Sequence, residues 1–261
     1  MTVHAHPDDE TIGTGGLMAK AVAAGHRVIL VTGTRGELGE IVVKEMDTPD
    51  NHRRLGEIRA GELEAAMGEL GVTEWENLGY RDSGMMGTDG NRDPRCYWQA
   101  DLDEAARRLT WLVRRYRPDV MTTYNDFGGY GHPDHIQVHN VGVRAAELAG
   151  VSHVYEATVN RDQMARLMAS NPQWAADAAP PDVSEFGLPE SEITTVVDVR
   201  PAMAAKRAAM AAHESQVGDF GPFLAMPAEQ VEAAFGQEWF RRRGGATGQE
   251  GSDVLETALP L

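Results

Sequence analysis

A chain of 261 residues is long enough to bury a full core without covalent staples, and its lone cysteine, Cys96, excludes an internal disulfide and a Cys-rich metal site. Forty acidic residues against 24 basic ones give a net charge of −16, which argues against a nucleic-acid partner, because phosphate binding needs a basic face. No apolar run approaches the roughly 20 residues that span a bilayer, and no basic stretch leads into an apolar one at the N-terminus, so a cytoplasmic location without membrane insertion is expected.

Residues 1–5 read as a short first strand, short enough to suggest a start a few residues earlier. Residues 10–24 read as a helix with Leu17, Met18, Ala21 and Val22 on one face. Gly13 to Gly16 lie inside that pattern without matching GxGxxG, so close helix packing explains them better than nucleotide binding. The apolar run 27–33 predicts a strand buried on both faces. A polar loop over 34–50 leads to a helix over about 51–70, which Gly71 stops.

A strand is expected at 73–79, then a long loop over 81–99 headed by Arg81-Asp82-Ser83-Gly84-Met85. A helix over 100–116 and a strand over Asp119–Tyr124 follow. Pro133 then opens a helix running to Ala149. Further strands are expected at 153–159 and Ile193–Val199, with helices at 161–170 and 200–213. Residues 171–191 read as an irregular excursion, and the Gly-rich tail from Gly244 as partly disordered.

This alternation predicts an α/β fold, a Rossmann-like, mostly parallel sheet flanked by helices, with an irregular C-terminal region. One domain over 1–261 is expected, with residues 1–150 as its core and 151–261 shaping the pocket. Ligands in such sheets bind beyond the carboxyl ends of the strands, where strand order reverses. Two clusters lie there, after the first and fourth strands: Ala5-His6-Pro7-Asp8-Asp9-Glu10 and Tyr130-Gly131-His132-Pro133-Asp134-His135. They supply imidazoles and carboxylates, which suit a catalytic zinc that keeps one position for water. His6 and Asp9 are three residues apart, as are His132 and His135, and a carboxylate beside them that does not bind metal could act as general base. Spacing leaves open which of His132, His135 and His139 is a ligand. The Gly128–Gly131 run suggests a mobile loop carrying the phenol of Tyr130. For Arg59 and Asp82, a solvated surface position and a role in binding weigh equally on sequence alone.

Together the two clusters resemble the PIG-L/LmbE-like family of zinc-dependent N-deacetylases, most visibly over residues 1–150, with only His213-x-Ser-Gln looking similar beyond. Gly36-Glu37-Leu38-Gly39-Glu40, Arg81 to Met85, and Thr123-Tyr124 leading to Gly129-Tyr130-Gly131 are similar to the mycothiol-pathway members. The resemblance implies that His6, Asp9 and His135 bind zinc, with ferrous iron as an alternative, and that Asp8 is the general base. It further implies that His132, its ring held by Asp134, stabilises the oxyanion or protonates the leaving amine, that Tyr130 polarises the carbonyl, and that Arg59 and Asp82 contact sugar hydroxyls. The implied reaction is removal of acetyl from a small amino-sugar substrate such as N-acetylglucosaminyl-inositol. Its rivals are a mycothiol S-conjugate amidase and a non-catalytic Rossmann-like module that binds a nucleotide or sugar.

Overall fold

The computed structural model describes residues 1–170, 186–216, 224 and 227–244. Its strands are β1 (Thr2–His4), β2 (Ile29–Thr32), β3 (Glu74–Asn77), β4 (Val120–Tyr124), β5 (His153–Thr158), β6 (Thr195–Asp198) and β7 (Gln237–Arg242). They form one sheet in the order β3-β2-β1-β4-β5-β7-β6. The first five are parallel, whereas β7 runs antiparallel to both β5 and β6. The α/β expectation holds, and β1 does lie beside β4, with Thr2 aligned on Thr122.

Side chains alternate across the strands. Val3, Ile29, Val31 and Met121 pack under α4 (Leu102–Tyr116) and α5 (Pro133–Ala149). Leu30 faces the opposite layer, where α2 (Gly15–Ala23), α3 (Pro49–Leu70) and α7 (Met203–Ala212) contribute Met18, Leu63, Met67 and Ala209. Burying each large apolar side chain there stabilises the fold by about 1.5–3 kcal/mol.

The helix boundaries follow local chemistry. Thr48 caps α3 by accepting from the Asn51 amide at 3.2 Å, Pro49 fills the first turn, and Gly71 closes the helix at φ +71°. The helix expected over 10–24 is instead two, α1 (Asp9–Gly13) and α2, broken at Thr14. The break exposes the amides of Gly16 and Leu17, which donate to the two carboxylate oxygens of Glu238 on β7, each at 2.8 Å. Glu238 also accepts from Lys206 Nζ at 2.6 Å, and both side chains are buried. A Cβ on Gly16 would come within 2.3 Å of Val199, so this glycine serves close packing.

Removing Glu238 would strand the buried Lys206 charge and two amides. Glu238→Ala is therefore expected to cost about 3–5 kcal/mol in urea unfolding, with much of that recovered by pairing Glu238→Gln with Lys206→Met. The same pair explains why β7 is hard to see in sequence. Its inward positions include a charged residue, so the apolar alternation is interrupted. Periodicity likewise does not single out the short α8 (Ala228–Phe235) before it. Residues 161–170 form α6 (Arg161–Ser170), whereas the excursion expected at 171–191 and the tail from Gly244 fall largely outside the described residues.

Candidate active site

The loops after β1, β2, β3 and β4 converge beyond the carboxyl ends of the sheet. The turn after β1 carries His6, Asp8 and Asp9. Asp9 lies between two histidines, with Oδ2 3.3 Å from His6 Nδ1 and Oδ1 3.3 Å from His135 Nε2. Asp9 Oδ2 also accepts from the His6 amide at 2.8 Å, which locks the turn.

His135 projects from the first turn of α5. Its Nδ1 lies 3.1 Å from the Gly128 carbonyl, which can only accept, so Nδ1 carries a proton and Nε2 is left facing Asp9. Tyr124 stacks on this ring at 4.5 Å and fixes its plane, while its hydroxyl lies 2.8 Å from Nδ1 of the buried His4. His139 is drawn elsewhere. Its Nδ1 lies 2.8 Å from the Tyr124 carbonyl and 3.6 Å from Glu156.

His132 caps α5, and its Nδ1 accepts from the Asp134 amide at 3.2 Å. Its proton is therefore on Nε2. Asp134 meets the His132 ring through its backbone amide. The carboxylate turns to His6, with Oδ2 3.2 Å from His6 Nε2. It is fixed there by the Ser83 amide at 2.9 Å and by a short bond from the Ser83 hydroxyl. Ser83 thus belongs to the site, and its signal in sequence is its place in the Arg81–Met85 stretch.

Asp82 and Arg59 are buried, each 4% exposed, so neither is a solvated surface residue. Asp82 accepts from the Leu38 and Gly84 amides at 3.0 and 2.8 Å and stands 3.6 Å from His6 Nε2. Arg59 donates to the Gly36 carbonyl at 3.0 Å and in a short bond to the Pro7 carbonyl, and its Nη2 is 3.3 Å from Asp8 Oδ2. Tyr130 is 42% exposed, with its hydroxyl 3.5 Å from His135 Nε2 and its ring stacked on Phe186. The loop expected to be mobile is a hydrogen-bonded turn. The Gly128 and Gly129 amides are held by Asn125, and the Gly129 carbonyl accepts from the Gly187 amide at 2.8 Å.

Electrostatically the site calls for positive charge. Burial alone would lower the His6 pKa, yet Asp82, Asp134 and Asp9 hold it well above the usual histidine range. Burial alone would raise Asp9, but His135 and His6 keep it well below the carboxylate range. Burial pushes Asp8 up to about 6 against the pull of Arg59. Burial, with His6 and His135 nearby, lowers His132 to about 3, so its imidazole is neutral. Burial raises the Tyr130 phenol, which stays protonated.

Among the described residues, two groups bring donor atoms within 4.8 Å of one another: His6, His132 and His135, and His6, Asp82 and Asp134. Imidazole nitrogens and carboxylate oxygens under a surplus of negative charge fit a divalent cation. The fold and this donor set define a class: an α/β protein with a His/Asp site able to hold a metal at the switch point of its sheet.

Residues 1–146 match the PIG-L family, GlcNAc-PI de-N-acetylase, and the chain belongs to that family. It is 43% identical to the 1D-myo-inositol 2-acetamido-2-deoxy-alpha-D-glucopyranoside deacetylase of Thermomonospora curvata, over 98% of this chain and 94% of the relative. It is 44% identical to the protein of the same name from Streptomyces avermitilis, over 100% and 97%. These alignments extend past residue 150, beyond the stretch where the motifs lie. The N,N'-diacetylchitobiose deacetylase from Pyrococcus horikoshii shares the fold, with a TM-score of 0.61 and 24% identity over 92% of this chain and 82% of that one. The chain is a hydrolase that removes acetyl groups, and the reading as a non-catalytic binding module is set aside. Among the described residues no helix is long and apolar enough to cross a membrane.

Proposed function

We propose that the chain is a zinc-dependent deacetylase of N-acetylglucosaminyl-inositol, with His6, Asp9 and His135 holding the metal and Asp8 as general base. The observation that carries this is Asp9 set between two imidazoles, with the Asp8 carboxylate beside it and outside that trio. Ferrous iron would accept the same donors. A bound divalent metal would polarise the acetyl carbonyl and lower the pKa of the attacking water.

This chain's residues supply the rest. Asp8 takes a proton from the water as it adds to the acetyl carbon. His132, neutral and protonated on Nε2, donates to the developing oxyanion, and the Tyr130 hydroxyl is a second donor. Asp8 then returns its proton to the nitrogen as the C–N bond breaks, leaving a free amine and acetic acid, whose remaining proton is lost to solvent to give acetate. This favours the oxyanion role for His132 over protonation of the leaving group, since its imidazole is a weak base. Asp134 orients His6 in the manner of carboxylates behind metal-bound histidines. Arg59 and Asp82 are read as sugar contacts, supported by their places beside Asp8 and His6. Of the described residues after 150, Phe186 packs against Tyr130, which supports a pocket-shaping part for that region.

The substrate assignment draws on the relatives' names. Acetate release should be measured on N-acetylglucosaminyl-inositol and on a panel of other N-acetyl amino sugars, alongside cleavage of a mycothiol S-conjugate. Preference for the inositol glycoside is expected; a higher kcat/KM on the S-conjugate would replace this reading with the amidase.

Gly128 gives a check on the metal assignment. It sits at φ +71°, and a Cβ there would lie 2.5 Å from His135 Cβ. Gly128→Ala must therefore displace the ring whose Nδ1 it orients, and metal affinity is expected to fall about 10- to 100-fold in a competitive chelator titration.

A further inference from the structure

Asp8 stands in a backbone conformation that its surroundings must enforce. Its φ of +101° lies in a region that costs a non-glycine residue about 1–3 kcal/mol. The Asp8 carbonyl accepts from the amide and hydroxyl of Thr11 at 3.0 and 2.8 Å. The Asp8 amide donates to Glu10 Oε2 at 2.9 Å. Glu10 is fully buried, and its other oxygen lies 2.8 Å from Nε2 of His213, which is also fully buried.

His213 comes from the far end of the chain, directly after α7, and is anchored independently of Glu10. The next residues fasten it. Ser215 donates its amide and hydroxyl to the buried Glu62 on α3 at 2.6 and 2.8 Å, and Gln216 Nε2 donates to the Glu40 carbonyl at 2.8 Å. The His213-x-Ser-Gln stretch thus has a definite mechanical place, although none of the proposed chemical steps uses it.

We infer that Glu10 and His213 are positioning residues for Asp8. His213 fixes the Glu10 carboxylate, Glu10 grips the Asp8 amide, and the strained turn keeps the Asp8 carboxylate at the site instead of relaxing away from it. The inference rests on the reading of Asp8 as general base. Misplacing a reacting group by about 1 Å can cost on the order of 100-fold in rate. A merely structural buried pair would change stability and leave kcat alone.

Amide exchange in wild-type protein labelled with 15N-aspartate gives a first readout that needs no turnover. With metal removed by chelator, the Asp8 amide should exchange at least about 100-fold more slowly than a solvated one, since it is bonded to a buried acceptor. Exchange at the solvated rate overturns the inference, whatever the variants do. The double variant Glu10→Met with His213→Leu removes both partners without stranding a charge. It should keep its metal and a KM within about threefold of wild type, lose about 10- to 100-fold in kcat, and lose the protection at Asp8. Glu10→Gln retains an oxygen for the Asp8 amide and should recover kcat to within about threefold. A double variant with wild-type kcat overturns the inference. Asp8→Asn, assayed alongside, separates the two levels: if it is active, the general-base reading fails, and if it is inactive while the double variant turns over normally, only the positioning role fails.

Discussion

Asp8→Asn is expected to lower kcat by about 10²- to 10⁴-fold while metal content and KM stay near wild type. Asparagine fills the same volume and tolerates positive φ better than most residues, so the turn at φ +101° should survive the change. What is lost is the ability to accept a proton. Arg59 Nη2, 3.3 Å from the Asp8 carboxylate, would meet an amide oxygen instead, and its bonds to the Pro7 and Gly36 carbonyls keep the guanidinium in place. Steady-state acetate release with elemental analysis of the same samples is the check. Turnover within a few fold of wild type would remove Asp8 from the mechanism.

Asp9→Ala should have an effect as large by a different route, through loss of the metal. Asp9 touches both imidazoles and also accepts from the His6 amide, so its removal takes away one proposed ligand and loosens the turn that presents another proposed ligand. Bound metal is expected to fall to about a tenth of wild type or less, and acetate release with it. His132→Ala should keep its metal, because the His132 Nδ1 is engaged by the Asp134 amide and its remaining nitrogen carries the proton. This contrast separates two arrangements that both put donors close together. Had His6, His132 and His135 been the ligands, Asp9→Ala would keep metal and His132→Ala would lose it.

The core of the fold is legible in the chain because its signals are local. The apolar run 27–33 reads as a strand buried on both faces, and Pro133 marks the start of α5. The two clusters announce a site because strands β1 and β4 end just before them and lie side by side. Partners joined only by tertiary contact are hidden. Asp134 sits next to His135 in sequence, yet its carboxylate serves His6, since the first turn of α5 aims it back at the loop after β1. Ser83 and His213 reach the site's surroundings from other loops, and nothing in their neighbours' spacing marks the bonds to Asp134 and Glu10. The antiparallel strand β7 is masked by its buried Glu238, whose partner Lys206 lies on another element.

The central claim is that this His/Asp site deacetylates an amino sugar through a bound metal. The most direct measurement is acetate release from N-acetylglucosaminyl-inositol by one preparation in three states: as purified, stripped by chelator, and stripped then given one equivalent of zinc. The account expects turnover to vanish on stripping and to return with zinc in wild type, and not to return in Asp9→Ala. Full turnover by verified metal-free protein would contradict it.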